Sequence, residues 1–208
     1  MYSSSDNNGN LELITYPSTQ VVTTAELKAQ LRIDTSDEDT LLVNYIIAAT
    51  QMAENYCNRH FIRATYKLWW NTSMPSEFNL IYPDVYLDFG TSVPGDDGLW
   101  YLGPVPDAVY TNWGFTNYYL SPNENPPRVI IKTPIPNDRP ISDLDGDEDS
   151  IFYFQFQTGY GALASDVPGA IKQAIKLIAS DMYYFREDRK RTFPMASQIL
   201  LQPYKCYH

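Results

Sequence analysis

The sequence predicts an α+β fold, in which a small α-helical bundle of N- and C-terminal helices carries an inserted antiparallel β module. Two long amphipathic segments, near 37–57 and 167–187, supply the helices. Between them lie short aromatic runs separated by Gly, Pro and Asn, which is typical of strands joined by turns. With 208 residues and 44% apolar side chains, the chain can bury a substantial core.

Residues 1–20 are predicted to form a disordered N-terminal lead-in, because Met1–Asn10 is polar and rich in Ser and Asn. This stretch lacks the basic patch of a signal peptide and the apolar run of a membrane anchor. Residues 21–208 are expected to form a single domain. Its predicted parts are helices in 24–57 and 166–191, a β insertion at 61–160 and a C-terminal docking tail at 198–208.

Two helices are predicted in the first block. Thr23 and Glu26 have the spacing of a capping box, so a short helix is expected over 25–32. Ser36 is expected to cap a second helix, and carboxylates follow at its positive end: Asp37, Glu38 and Asp39. Apolar side chains at three- and four-residue steps extend this helix to Cys57.

The middle of the chain is predicted to form short strands. The expected strands are Ala64–Trp70, Val85–Phe89, Leu99–Leu102, Val109–Trp113, Tyr118–Leu120 and Arg128–Lys132. Ile151–Thr158 shows the clearest alternation, with Phe152, Phe154 and Phe156 on one face, and is expected to be half-buried. Asp166 and Pro168 are expected to begin the third helix.

Charge and cysteine usage limit the possible functions. Fifteen Lys and Arg against 25 Asp and Glu give a net charge of −10, which disfavours tight binding to nucleic acid. Cys57 and Cys206 are the only cysteines, and their wide spacing fits neither a metal site nor a redox motif. A reducing, cytosolic folding environment fits best.

No residue pattern predicts catalysis, a cofactor or a metal, so a structural assembly protein is favoured over an enzyme. Cys57 and His60 are the only Cys/His pair close in sequence, and a packed cysteine with a turn histidine is the preferred interpretation. The acidic run Asp143–Asp149 lacks the glycine position of a calcium loop and is expected to be solvated. Gly159-Tyr160-Gly161 is expected to be a turn, not a phosphate loop.

Four tryptophans could stack on sugars, although core or interface roles are favoured: Trp69, Trp70, Trp100 and Trp113. The one basic cluster comprises Arg186, Arg189, Lys190 and Arg191. It is expected either to cap the third helix with solvated cations or to meet an acidic surface on a neighbouring subunit or partner.

The order of these motifs resembles that of tailed-bacteriophage head-tail connector (adaptor, head-completion) proteins of the gp6-like family, in the longer subgroup with a β insertion. The matching stretches are Val22–Asp34, Asp37–Asp39, Ile46–Arg59, Thr158–Gly161, Asp166–Ile175 and Leu200–Tyr204. The resemblance implies a structural virion protein that forms a dodecameric ring under the portal protein. Such a ring would extend the DNA channel, without specific DNA binding, and offer the tail or next head-completion protein its attachment surface.

The resemblance further implies assembly in the host cytoplasm, a place at the head-tail interface of the virion and no membrane association. The candidate residues for contact with other subunits or the portal are Arg186, Arg189, Lys190, Arg191, Leu200, Leu201 and Tyr204. The alternative function is a carbohydrate- or receptor-binding module that uses the aromatic-rich β segment.

Overall fold

The computed structural model describes residues 9–15, 17, 19–70, 74–80, 82, 85–87, 97–102, 110–121, 124, 126–133, 152–186 and 195–206. The chain forms two units. The helical unit comprises Pro17–Arg63 and Gly159–His208, and the β unit comprises Met1–Tyr16 and Ala64–Thr158. The predicted α+β class, with a β module inserted between helices, is confirmed. The single domain proposed for 21–208 stays a prediction.

Helix α1 (Thr24–Leu31) begins where its capping box predicts. The N–H of Glu26 donates to Thr23 Oγ1 at 3.2 Å, and the N–H of Thr23 donates to Glu26 Oε2 at 2.8 Å. Two backbone donors that the helix leaves without partners are thereby satisfied.

Helix α2 (Asp39–Cys57) begins three residues later than Ser36, so the prediction that Ser36 caps it is wrong. Glu38 occupies the N-cap position, and the carbonyl of Ser36, not its hydroxyl, accepts the N–H of Asp39 at 3.2 Å. The helix ends at Asn58, whose positive φ of 52° turns the chain away.

Helix α3 (Gly169–Tyr184) is shorter than the predicted 166–191 at both ends. Asp166 does not cap it, because Asp166 Oδ2 accepts the N–H of Leu163 at 2.9 Å and closes a preceding 3-10 turn. Pro168 takes the N-cap position instead. The predicted apolar stripe of α3 is confirmed in its first three turns, where Ile171, Ala174, Ile175 and Ile178 are buried.

The C-terminal tail contains helix α4 (Met195–Leu201) and a 3-10 turn (Gln202–Tyr204). One face of each helix builds the core of the helical unit. Its buried members include Leu27, Leu31, Leu42, Ile46, Ala49, Ala53, Ile171, Ile175, Ile178 and Leu201. Full burial of each large aliphatic side chain stabilises the fold by about 1.5–3 kcal/mol. Among the described residues, none of the helices has the length and apolar content to cross a membrane.

The described part of the β unit contains a six-stranded antiparallel sheet. Five strands lie in the order β1 (Asn10–Thr15), β2 (Ala64–Trp70), β9 (Phe152–Thr158), β5 (Gly98–Leu102) and β6 (Tyr110–Asn112). β2 and β9 pair over their full length, from Ala64 opposite Thr158 to Trp70 opposite Phe152. The sixth strand, β4 (Val85–Tyr86), pairs with the last residues of β9.

A second, three-stranded sheet has the order β3 (Glu77–Asn79), β8 (Arg128–Ile131) and β7 (Tyr118–Ser121). Its apolar face packs on the six-stranded sheet through aromatic contacts centred on Phe154. The rings of Phe78 and Tyr118 meet Phe154 edge-on, with centroids 5.5 and 5.7 Å away. Such edge-to-face pairs add to the burial energy of the rings themselves.

Two predictions about strands are wrong. Asn10–Thr15 forms β1 rather than part of a disordered lead-in, because Leu11 and Leu13 pack on the β core once β2 offers a pairing edge. β9 is buried on both faces rather than half-buried, since Tyr153 stacks on Trp100 at 6.1 Å and lies under Lys67 Nζ at 4.5 Å. The short strand β3 was not predicted.

Candidate interaction surface

The last turn of α3 is tied to the first turn of α2 by three side chains. Tyr183 donates its hydroxyl to Glu38 Oε2 at 2.6 Å, and Arg186 Nη2 donates to Glu38 Oε1 at 2.6 Å. The guanidinium of Arg186 also lies over the Tyr183 ring, 4.9 Å from its centroid. We call this set the Glu38 clamp.

Arg186, one of the predicted contact residues, belongs to the Glu38 clamp. Arg186 lies two residues beyond α3 and pairs with Glu38 of its own chain. Its contact with a neighbouring subunit or partner stays a prediction. The bond from Tyr183, followed by that from Arg186, lowers the pKa of Glu38 below its ordinary value of 4.5. The other members of the basic cluster, Arg189, Lys190 and Arg191, lie outside the described residues.

The lowered pKa of Glu38 predicts a pH-dependent contribution to stability. A depressed carboxyl pKa stabilises the fold above pH 4.5, and this contribution is lost as pH falls through the lower folded-state pKa. We therefore expect Glu38→Gln to lower the thermal midpoint slightly at pH 7, and to lower it less at pH 3. Thermal melts at both pH values, with the exposed neighbour Asp37→Asn as a control, would check this. An equal loss at both pH values would contradict it.

The C-terminal tail docks on the end of α2. The N–H of Cys206 donates to the carbonyl of Cys57 at 2.9 Å, and the Asn58 amide donates to the Cys206 carbonyl at 3.0 Å. Tyr56 donates its hydroxyl to Gln202 Oε1 at 2.8 Å. These bonds hold the tail on its own helical unit.

The three tail residues predicted as contacts differ in their positions. Leu201 is fully buried in the helical core, so the prediction that it faces a partner is wrong for this residue. Tyr204 is half-buried, meets Tyr160 edge-on at 6.5 Å and accepts a hydrogen bond from Arg59 through its carbonyl. Leu200 is also half-buried and packs against the core. The role of Leu200 and Tyr204 in a contact between subunits stays a prediction.

The Cys/His pair has the structural roles expected from the sequence. His60 Nδ1 lies 3.3 Å from Glu54 Oε2, and Cys57 Sγ points to the carbonyl of Leu201 at 3.9 Å. Burial raises the pKa of Cys57 to about 11, so its thiol is protonated at neutral pH. Within the described ranges, no group of three or more His, Cys, Asp or Glu side chains could hold a metal ion.

The aromatic side chains of the β unit divide between core and surface. Trp70 and Trp100 are buried, which removes two of the four tryptophans from any sugar-binding surface. Trp113 is half-buried and donates Nε1–H to the carbonyl of Thr133 at 3.2 Å. The acidic stretch 143–149 lies outside the described residues.

Sequence reasoning missed a group of exposed apolar side chains on the helical unit: Ile47, Met52, Leu163, Tyr184, Phe185, Met195 and Ile199. The sequence contains one indication that part of α2 is exposed but uncharged. Residues 40–53 contain no charged side chain, although 19% of the whole chain is charged. Contiguous exposed apolar patches often mark surfaces that other proteins cover, whereas single exposed apolar side chains are common.

Solved structures with the same fold come from particle necks. The chain has a TM-score of 0.67, at 20% identity, to a chain from "Neck of empty GTA particle computed with C6 symmetry", covering 96% of both chains. A chain from "Virion of native gene transfer agent (GTA) particle" gives 0.64 at 20% identity, covering 95% of this chain and 96% of that one. A third, from "Neck of native GTA particle computed with C12 symmetry", gives 0.62 at 19%, covering 96% of both. At these identities the similarity establishes a common fold.

The family model described as "Phage gp6-like head-tail connector protein" matches residues 22–85, which contain α1, α2 and β2. This match confirms, over residues 22–85, the resemblance predicted from the sequence. No curated protein matches it.

Proposed function

We propose that the chain forms a dodecameric ring beneath the portal protein, extends the DNA channel and offers the tail or next head-completion protein its attachment surface. The observation that carries this proposal is the common fold, over 96% of both chains, with components of necks computed with C6 and C12 symmetry. A ring of twelve copies is compatible with both C6 and C12 symmetry. Assembly in the host cytoplasm and a final place in the virion at the head-tail interface complete the proposal.

The charge of the chain suits a channel that DNA passes through. Twelve copies, each with a net charge of −10, repel phosphates unless basic residues cluster at the channel wall. DNA would then move past without specific binding. The β unit, whose aromatic composition differs most from what the resemblance implies, is the proposed adaptor to neighbouring proteins.

Mixing experiments with the portal test this function. Alone, the purified chain is expected to be a monomer or a mixture of oligomers, and on the portal it is expected to assemble into a ring. Light scattering with and without portal, followed by electron microscopy of the mixture, measures this. An unrelated ring protein of similar size serves as the control. A stable small dimer that ignores the portal would contradict the proposal.

A further inference from the structure

The solvent side of α2 carries no charge over most of its length. The row of residues opposite its buried face comprises Thr40, Asn44, Ile47, Gln51 and Asn55, all exposed. Ile47, within this row, is 44% exposed, and Met52, which is 39% exposed, lies to one side of the row. We call this surface the α2 face. Charge depletion with exposed Ile and Met is the composition of an interface core rather than of a solvated helix.

A second uncharged surface lies on α4. Met195 and Ile199 stand one helical turn apart on the same side, 78% and 68% exposed, and no residue of Met195–Leu201 is charged. The opposite side of α4 packs inward through Leu201 and through Ser197, whose hydroxyl donates to the Ala174 carbonyl at 3.4 Å. We call the outward surface the α4 face. Its apolar side chains have no role in the core of their own chain.

Charge indicates what covers these two faces. Each copy has a net charge of −10, so copies repel one another overall, and surfaces without charge let them meet without adding to this repulsion. A closed ring also needs two different surfaces on each subunit, because a head-to-tail contact joins unlike patches. The α2 face and the α4 face meet both requirements, and both belong to the helical unit.

We infer that the α2 face of one copy docks on the α4 face of the next copy. This inference rests on the proposed ring and specifies its subunit contact. Ile47 of one copy then packs against Met195 and Ile199 of its neighbour, and the exposed apolar groups on both faces leave water together. The β unit is left out of this contact and stays available to other proteins.

A single introduced charge tests the α2 face. We expect Ile47→Glu to reduce the fraction of chain in portal-bound rings by roughly tenfold or more, because an unpaired carboxylate would be buried at every contact around the ring. Gln51→Glu, which keeps side-chain shape, is expected to act in the same direction. Gln30→Glu is the matched control for Gln51→Glu, since Gln30 is exposed on α1 of the same unit, outside both faces, and this variant should assemble normally.

A second variant tests the pairing between faces. Ile199→Lys alone should also reduce ring formation, whereas the double variant Ile47→Glu with Ile199→Lys should restore it, because a cation and a carboxylate then meet across each contact. Circular dichroism of each variant verifies that the helices are intact. Failure of the double variant to restore rings would overturn the α4 face as the partner.

The same experiment separates this inference from the proposed function. If the unaltered chain forms no ring on the portal, the proposed function fails. If the unaltered chain forms rings and Ile47→Glu does so equally well, the function stands and the α2 face is not the contact. Rings from Gln30→Glu but not from Ile47→Glu or Gln51→Glu support the inference.

Discussion

Gly159→Ala is expected to lower the free energy of unfolding by about 3 kcal/mol, because both the backbone angle and the neighbours of Gly159 exclude a side chain. Its φ is +120°, a value that residues with a Cβ rarely adopt. A Cβ there would lie 2.8 Å from the carbonyl carbon and oxygen of Ile62. Those atoms belong to backbone held by a 2.8 Å bond from the Arg63 N–H to the Gly161 carbonyl, so they have little room to move.

Gly169→Ala is the matched control for this change. Gly169 begins α3 without a positive φ, and nothing lies within 4 Å of the position that a Cβ would take. In a helix, alanine is favoured over glycine by about 0.5–1 kcal/mol, so this variant is expected to be as stable as the unaltered chain or more so. Urea titrations of both variants, monitored by circular dichroism, measure the difference. Equal stability of Gly159→Ala and Gly169→Ala would contradict the structural argument.

Phe154→Ala is expected to destabilise the β unit by about 3–5 kcal/mol, since it leaves a cavity between the two sheets. Phe154 is fully buried and touches aromatic rings of the small sheet as well as Phe156 of its own strand. Loss of these contacts removes both buried area and edge-to-face packing. Near-ultraviolet circular dichroism during denaturation follows this aromatic core directly.

The control for this variant is Phe115→Ala, the same chemical change at a side chain that is 64% exposed in the same unit. A surface change of this kind is expected to alter the free energy of unfolding by no more than about 0.5 kcal/mol. If both variants lost the same stability, Phe154 would not be the centre of the β core.

Local signals in the sequence predicted the parts of the fold that depend on neighbouring residues. The capping box at Thr23 needs only Glu26, three residues away, and it forms as predicted. The periodicity of α2 and the alternation of β2 were likewise sufficient to locate both elements. In each case the decisive contacts repeat along the element itself.

Features that depend on distant partners were missed or misplaced. β1 exists because β2 offers it an edge more than 50 residues away, and its own six residues are too short to indicate this. Asp166 accepts the N–H of Leu163, three residues before it, and therefore closes the 3-10 turn before α3 instead of capping α3. Leu201 was assigned to the surface because a seven-residue helix gives too few turns to decide which side faces the core.

The two connections into the β unit lie side by side. Ala64, which begins the insertion, pairs with Thr158, which ends it, and just before them Ile62 bridges to Gly161. Because the first and last residues of the insertion pair with each other, the pairing does not fix the number of residues between them. The segment between Ala64 and Thr158 can therefore become longer or shorter while these two residues stay paired. Changes in the length of the insertion are therefore expected to leave the helical unit unaltered.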